Sequence, residues 1–437
     1  MVKLDKRMRA KDRLINFIVA TARILLGITF VFSGFVKAVD PIGFVYKIED
    51  YLISFQLTLF IPLALTFAIA LILLEFLLGV LILLGLYRKT ATSFAVLLMA
   101  VMTPLTLYIA LANPVEDCGC FGDALVISNW ATFYKNIVLI AFAIFLLVYH
   151  KRIKPLFTNK TKNLVVGFVF LFSLLFCLYN ILYIPIIDFR PYKVGVNIPE
   201  QMEDDVSKGD VYENIYIYEK DGLEKEFTED NFPWEDSTWT FVDYKSKLIK
   251  EGEQPLIDDF HLLAYIEDID GAFVESGDIT HDVLSMPFSL FVVSLSLNEA
   301  NQKAMAQIAD LAHYATNNNI DLHIVTSSDA KTIQQWHKQW GSPTLSYAMM
   351  DELTLKTIVR SNPGLLLLNE GMIVGKWSSR NLPSVSQLDE ITTQIKLGEN
   401  SLPNNNSLAS LLIICAIFVI PLLVVKWYDT KKHKTYK

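Results

Sequence analysis

The sequence predicts a multi-pass α-helical membrane protein carrying a large external α/β domain, and three observations predict it. Six apolar windows are each long enough to cross a hydrocarbon core of about 30 Å. They are Leu14–Val36, Ile61–Leu86, Thr92–Ala112, Trp130–Tyr149, Leu164–Ile187 and Leu408–Trp427. One such window fits a buried helix of a soluble protein, but six in one chain do not. Net positive charge gathers in alternate connections between the windows. Between the fifth and sixth lies a polar stretch, residues 188–407, composed like an ordinary globular domain.

The charges orient the spans. A basic leader, residues 1–13, carries Lys3, Lys6, Arg7, Arg9, Lys11 and Arg13 against Asp5 and Asp12. Arg88 and Lys89 follow the second span, and Lys151, Arg152, Lys154, Lys160 and Lys162 follow the fourth. The tail, residues 428–437, is basic as well. All of these fall on one side if six spans alternate, and the positive-inside rule makes that side cytoplasmic. Both termini are then expected inside a cell inner membrane, with residues 188–407 periplasmic. The opposite connections are acidic, with Asp40, Glu49 and Asp50 in one and Glu116, Asp117 and Asp123 in the other. The first span is longer than a signal-peptide core and lacks a clear cleavage site, so it reads as an uncleaved anchor.

The inner segments, with Lys426 at the end of the last span, hold 18 basic and 3 acidic residues, whereas residues 188–407 hold 16 basic and 36 acidic. No basic outer surface is left for nucleic acid, and lipid is the partner expected of the inner charges.

The first four spans, residues 14–150, have short connections and read as an up-down four-helix bundle. Arg23 in the first span and Glu75 in the second are each about ten residues from a cytoplasmic end. Buried charges in a membrane pair or line a polar site, so these two are expected to face each other. Lys135 enters the fourth span near the third connection. It either snorkels to the interface or lowers the pKa of a nearby thiol.

That connection contains Asp117-Cys118-Gly119-Cys120-Phe121-Gly122-Asp123, two of only four cysteines in the chain. Two thiols one residue apart can exchange disulfides, form a structural bridge or turn, or hold a metal. Gly119 admits backbone geometries closed to other residues, and a strained exposed disulfide is the labile, oxidising kind. The outward face is the oxidising one. The neighbouring acids are expected to raise the thiol pKa values, leaving Lys135 as the nearby cation. Cys177 and Cys415 sit alone inside apolar spans and read as small packing residues.

The run Ser33-Gly34-Phe35-Val36-Lys37-Ala38 with Asp40-Pro41, then Glu75, Gly79, Leu84-Gly85 and Arg88-Lys89, resembles the DoxX-like membrane family. The cysteine loop is similar to its MauE branch, the methylamine-utilisation membrane proteins. The resemblance covers about a third of the chain. It implies help with disulfide formation and maturation of an exported thiol-containing protein, in a bundle similar to quinone-linked thiol oxidases. A quinone cofactor enters through the resemblance alone, since no residue pattern specifies its site. The addition of a fifth span (164–187), an external domain and a last span (408–427) is similar to DoxX-family proteins of Bacteroidetes.

The external part divides into a β-rich region, 188–282, and an alternating α/β region, 283–400. Ile215–Glu219 and Leu223–Phe227 flank Lys220-Asp221-Gly222, a hairpin signal. From Phe288 the pattern runs strand–helix–strand–helix, then a hairpin and a last helix. That order, with Ser361-Asn362-Pro363-Gly364 ahead of a strand, resembles a thioredoxin-like fold of the exported TlpA or peroxiredoxin kind. The resemblance implies that Pro363 is cis and faces a binding site. The cysteine pair of that fold would fall near Ser296–Ala300, where there is none, and no cysteine occurs from Leu178 to Ile414. Direct thiol chemistry in this domain is excluded. His281, His313, His323 and His337 lack metal-ligand spacing and read as ordinary surface or helix residues.

The leading functional expectation is a membrane thiol–disulfide relay or maturation factor, with Cys118 and Cys120 as the exchanging thiols. Its alternatives are a non-enzymatic membrane scaffold or chaperone, and a small-molecule transporter routed past Arg23 and Glu75. The last lacks the inverted repeats and broken spans common in transporters.

Overall fold

A computed structural model of the protein describes residues 2–115, 117–203, 211–228, 238–250, 255–340, 345–398 and 407–435, with single positions 231, 233 and 236. Among the described residues six helices are long and apolar enough to cross a membrane: Ala10–Val39, Thr58–Leu84, Arg88–Ala112, Asn129–Val148, Lys162–Leu182 and Ser407–Lys431. The chain is a multi-pass membrane protein.

The first helix, α1 (Val2–Val39), runs straight through its span to a short helix, α2 (Pro41–Ser54). A 3-10 turn over Thr58–Leu63 leads into α3 (Ala64–Leu84), then come α4 (Arg88–Ala112) and α5 (Asn129–Val148). Helices α1 and α3 cross at glycines. A Cβ on Gly34 would stand 2.6 Å from the Phe76 backbone nitrogen, and one on Gly79 would stand 2.6 Å from that of Val31. Small residues let helix backbones meet where lipid supplies no hydrophobic drive. The fifth span, α6 (Lys162–Leu182), packs beside them, and its Phe172 ring lies 4.9 Å from Phe418 of the last span.

Helix α2 falls where the sequence reads only as an acidic connection. Its start is nevertheless written in Asp40-Pro41. The Asp40 carboxylate accepts from the Gly43 N–H at 3.0 Å, and Pro41 stands where an N–H has no helical partner. The helix buries Pro41, Val45 and Ile48 against the bundle.

After α7 (Ile198–Met202) the chain forms a three-stranded meander of β1 (Val211–Lys220), β2 (Leu223–Thr228) and β3 (Thr240–Lys250), in order β2-β1-β3. The expected hairpin turn is present, with φ of 55° at Asp221 and 77° at Gly222, both positive as a two-residue turn of the favoured hand requires. Next come β4 (Leu263–Glu267), β5 (Phe273–Asp278), α8 (Thr280–Ser285), β6 (Ser289–Ser294), α9 (Gln302–Asn317), β7 (Asp321–Thr326) and α10 (Ala330–Trp340). The domain closes with β8 (Ser346–Met349), α11 (Glu352–Ile358), β9 (Gly364–Asn369), β10 (Met372–Ser378) and α12 (Val385–Lys396), before α13 (Ser407–Thr435) returns to the bundle.

The seven-stranded sheet has the order β10-β9-β6-β7-β8-β4-β5. Strands β6, β7 and β8 are parallel, while β9 is antiparallel to β6 and β10 to β9. A β-α-β unit joined to a β-β-α unit in this order is the thioredoxin-like arrangement. Strand β6 is buried along its whole length because both faces are covered: Leu290 and Val292 enter one core, Phe291 and Val293 the other. Parallel strands require that double cover.

Two expectations need correction. The β-rich region does not stop at 282 as a separate unit, because β4 pairs with β8 and extends the main sheet. The chain near Gly195 and Val196 also bonds Ile373 of β10, at 2.7 and 2.9 Å. His323 is no surface residue. It is buried in β7, with Nε2 2.7 Å from Asp321.

Candidate active site at the cysteine loop

The loop between α4 and α5 lies at the end of the bundle where α1 gives way to α2 and where the α/β domain sits. The Asp117 carboxylate accepts from the Gly119 N–H at 2.6 Å, and Gly119 has a φ of 64°, a region open to glycine. This turn brings the sulfurs of Cys118 and Cys120 to 3.0 Å, both cysteines free, Cys118 buried and Cys120 half-buried. Cys177 is buried and Cys415 exposed in the last two spans, away from the loop.

Helix α2 braces the loop from one side. Tyr51 donates its hydroxyl to the Cys118 carbonyl at 2.7 Å, and Lys47 meets Asp117 at 3.0 Å. From below, Ser33 Oγ lies 2.8 Å from the Cys120 carbonyl and 2.7 Å from Glu75 Oε2, so its one proton serves either acceptor. Lys37 Nζ stands 2.9 and 2.8 Å from the two Glu75 oxygens. Lys37 is 5 % exposed and Glu75 6 %, so this ion pair is removed from water, where neither charge is stable alone.

The two thiols differ in acidity. A hydrogen bond from the Cys118 thiol pulls Cys120 below the ordinary thiol value; burial opposes this, and Lys135 and Lys37 add to the lowering. Cys118 is pushed up by the same bond and by burial. The arrangement favours the thiolate at Cys120 over that at Cys118. Of the loop acids expected to raise both thiols, Asp117 is engaged by Lys47 and Asp123 by Arg360, while Glu116 lies outside the described residues. Lys135 lies 4.2 Å over the Phe121 ring, a cation–π distance.

Beneath the thiols a cavity of about 260 Å³ opens among the helices. Phe30, Phe44, Leu71, Met99 and Leu139 give it apolar walls, and Cys118, Cys120, Tyr51, Lys135 and Asn136 give it polar edges.

Of the site residues expected from sequence, the structure brings Cys118, Cys120, Glu75 and Lys135 together. Arg23 does not join them and does not face Glu75. It lies toward the opposite end, donating Nε to the Ile82 carbonyl at 2.9 Å, Nη1 to Lys154 at 3.0 Å and Nη2 to Leu83. The antiparallel register sets Gly27 against Leu83 and Gly34 against Phe76, so Arg23 meets the end of α3 rather than its middle. Pro363 also stays apart, in the α/β domain. Its peptide with Asn362 is cis, as the resemblance implies. Beside it, Asn362 accepts from Ser294 Oγ at 2.7 Å and donates to the Ser296 carbonyl at 2.8 Å. Polar side chains thus stitch shut the place where a thioredoxin-like cysteine pair would lie.

Sequence reasoning gave no role to Ser33, Lys37, Lys47, Tyr51 or Arg360. Lys37 had a signal, since it stands one turn after Ser33 at the end of a span and faces a loop of thiols.

Comparison with known proteins bears on the bundle. Residues 15–149 match the family model for methylamine utilisation protein MauE. The match takes in four spans, the cysteine loop, Lys37 and Glu75. Residues 212–251, the meander, match a domain family of unknown function. A search of curated proteins finds no significant match. Among solved structures, the α/β domain is similar to a thioredoxin-like protein from Aeropyrum pernix, at 12 % identity over 31 % of this chain and 89 % of that one, with a TM-score of 0.24. It is similar to a putative protein disulfide isomerase from Bacteroides thetaiotaomicron, at 18 % identity over 32 % and 84 %, TM-score 0.24. It is also similar to yeast Sco1 with copper bound, at 14 % identity over 33 % and 93 %, TM-score 0.24. Such scores carry no functional weight, and the fold rests on the strand order itself.

Proposed function

We propose that the chain is a membrane thiol–disulfide relay that exchanges with exported proteins through Cys118 and Cys120. The observation that carries this reading is the contact of two free sulfurs at 3.0 Å, one of them flanked by Lys37 and Lys135. The match over the same residues to the family of methylamine utilisation protein MauE is in keeping with it.

In the reduced form the Cys120 thiolate attacks a partner disulfide. An S–S bond forms between Cys120 and one partner sulfur, and the other partner sulfur leaves as a thiolate and takes up a proton. Cys118, losing its proton, then attacks the Cys120 sulfur, and the partner leaves as a dithiol. Two electrons pass to the partner, and the reverse sequence oxidises it. Because the thiolate is the nucleophile, Cys120 makes the first bond and Cys118 resolves it.

The quinone that the resemblance allows fits the cavity beneath the thiols. Phe44, Leu71 and Met99 would hold its apolar body, with Lys135 and Asn136 at its polar edge. Bound there, it would supply a two-electron acceptor.

The test is to trap the exchange partner. A Cys118→Ser variant, lacking the resolving thiol, should accumulate reductant-sensitive adducts with exported proteins in membranes, and a Cys118→Ser/Cys120→Ser double variant should show none. Absence of adducts from the single variant would sink the relay.

A further inference from the structure

The α/β domain has no thiol chemistry of its own, yet it grips the membrane unit beside the cysteines, chiefly through Arg360. Arg360, which follows α11, holds Nε 2.9 Å and Nη2 2.8 Å from Asp40 Oδ2, with Nη2 3.4 Å from Asp123 Oδ2. Its guanidinium also lies 5.4 Å from the Tyr46 ring centroid, and Lys356 Nζ lies 4.9 Å from that same ring. The Arg360 side chain is only 8 % exposed. A planar, multidentate cation held this way is a rigid contact, unlike a mobile surface pair.

Both carboxylates belong to the cradle of the cysteine loop. Asp40 caps α2, and α2 carries Lys47 and Tyr51, which hold Asp117 and the Cys118 carbonyl. Asp123 closes the loop three residues after Cys120. Arg360 therefore ties the start of the bracing helix to the end of the loop. Between the domain and the loop lies a chamber of about 580 Å³ of mixed lining, which includes Lys37, Lys47, Gly119 and Arg360, with Gly119 the loop residue between the two cysteines. The domain roofs the outer side of the cysteine loop.

We propose that Arg360 is a positioning residue for the cysteine pair: it clamps the α/β domain over the chamber and thereby sets how readily Cys118 and Cys120 meet a reagent from that side. Its biological meaning rests on the relay reading, whereas the geometry of the clamp does not.

The test uses the full chain in reduced membranes, an impermeant maleimide, and mass spectrometry that resolves each cysteine. Arg360→Ala should speed alkylation of the pair by about tenfold, the factor that corresponds to about 1.4 kcal/mol. It should also shift the pH midpoint of Cys120 alkylation, because the loop would no longer be held against Lys37. Arg360→Lys keeps the charge but loses the fork and should fall between. Gly43→Ala provides a second route without changing any charge. A Cβ there would stand 2.8 Å from Arg360 Nη2 and 2.5 Å from Asp40 Oδ2, while alanine favours the helix itself. It should speed alkylation as Arg360→Ala does. Arg380→Ala, on an exposed turn of the same domain, should leave the rate alone. If the rate and pH midpoint in either folded variant equal those of the parent, the clamp is overturned. Alkylation needs no exported partner, so this result is independent of whether adducts are trapped on Cys120.

Discussion

Cys118 and Cys120 have the same side chain, and their surroundings divide the labour between them. Cys120 accepts a hydrogen bond from Cys118 and lies near two lysines, so its thiolate is favoured below the ordinary thiol pKa of about 8.5. The sign follows directly. A lowered pKa keeps the reactive form present as pH falls through the ordinary range, and reactivity is lost only below it. Site-resolved alkylation against pH should therefore show a Cys120 midpoint on the acid side of a free thiol, with Cys118 on the alkaline side. Lys135→Met removes one lowering charge and should move the Cys120 midpoint upward. Equal midpoints for the two cysteines would contradict the assignment. At this scale the sequence was legible where chemistry is local: a Cys-Gly-Cys loop announces itself, and Lys135 stands close enough in sequence to be suspected. Arg360 was not legible, because its partner Asp40 lies 320 residues away and only the docked fold joins them.

Among elements, the informative pair is α1 and α3, whose glycine crossing sets a register that places Lys37 against Glu75. Sequence depth alone had matched Glu75 with Arg23. Counting from the ends of apolar windows fails because α1 extends well beyond its window on the cytoplasmic-type side, which moves Arg23 toward the end of α3. The correct partner was visible in the Ser33–Lys37 run but carried no mark of depth. The pair makes a sharp prediction. Lys37→Met or Glu75→Leu alone leaves one buried charge without its partner and should destabilise the bundle by about 3–5 kcal/mol. The double change should cost less than the sum of the two. Thermal unfolding of the three variants in detergent measures this, and additive losses would mean that the two groups are not coupled. Helix α2 escapes the sequence for a different reason: at 14 residues it is too short to read as a span, so it falls into the acidic connection. Its Asp-Pro start was the available signal.

At the scale of the molecule, the bundle and the α/β domain meet at one end, and the basic connections collect at the other. There Asp429 of the last helix accepts from Thr158 N at 3.0 Å and Oγ1 at 2.6 Å, so α13 ends beside the Lys151–Lys162 connection. The cysteine loop, α2 and the α/β domain share the opposite end through Arg360. This arrangement requires that the cysteines and the domain lie on the same side of the membrane. The positive-inside rule leads one to expect that side to be external, where disulfides persist, and that expectation is testable. A reporter active only in the cytoplasm should work when fused after Lys437 and fail when inserted near Glu253. An impermeant thiol reagent should reach the reduced loop in intact cells stripped of their outer barrier. The decisive outcome is the joint one. Labelling of the loop from outside together with an external C-terminus would require an even number of crossings between them, whereas six alternating spans place three there.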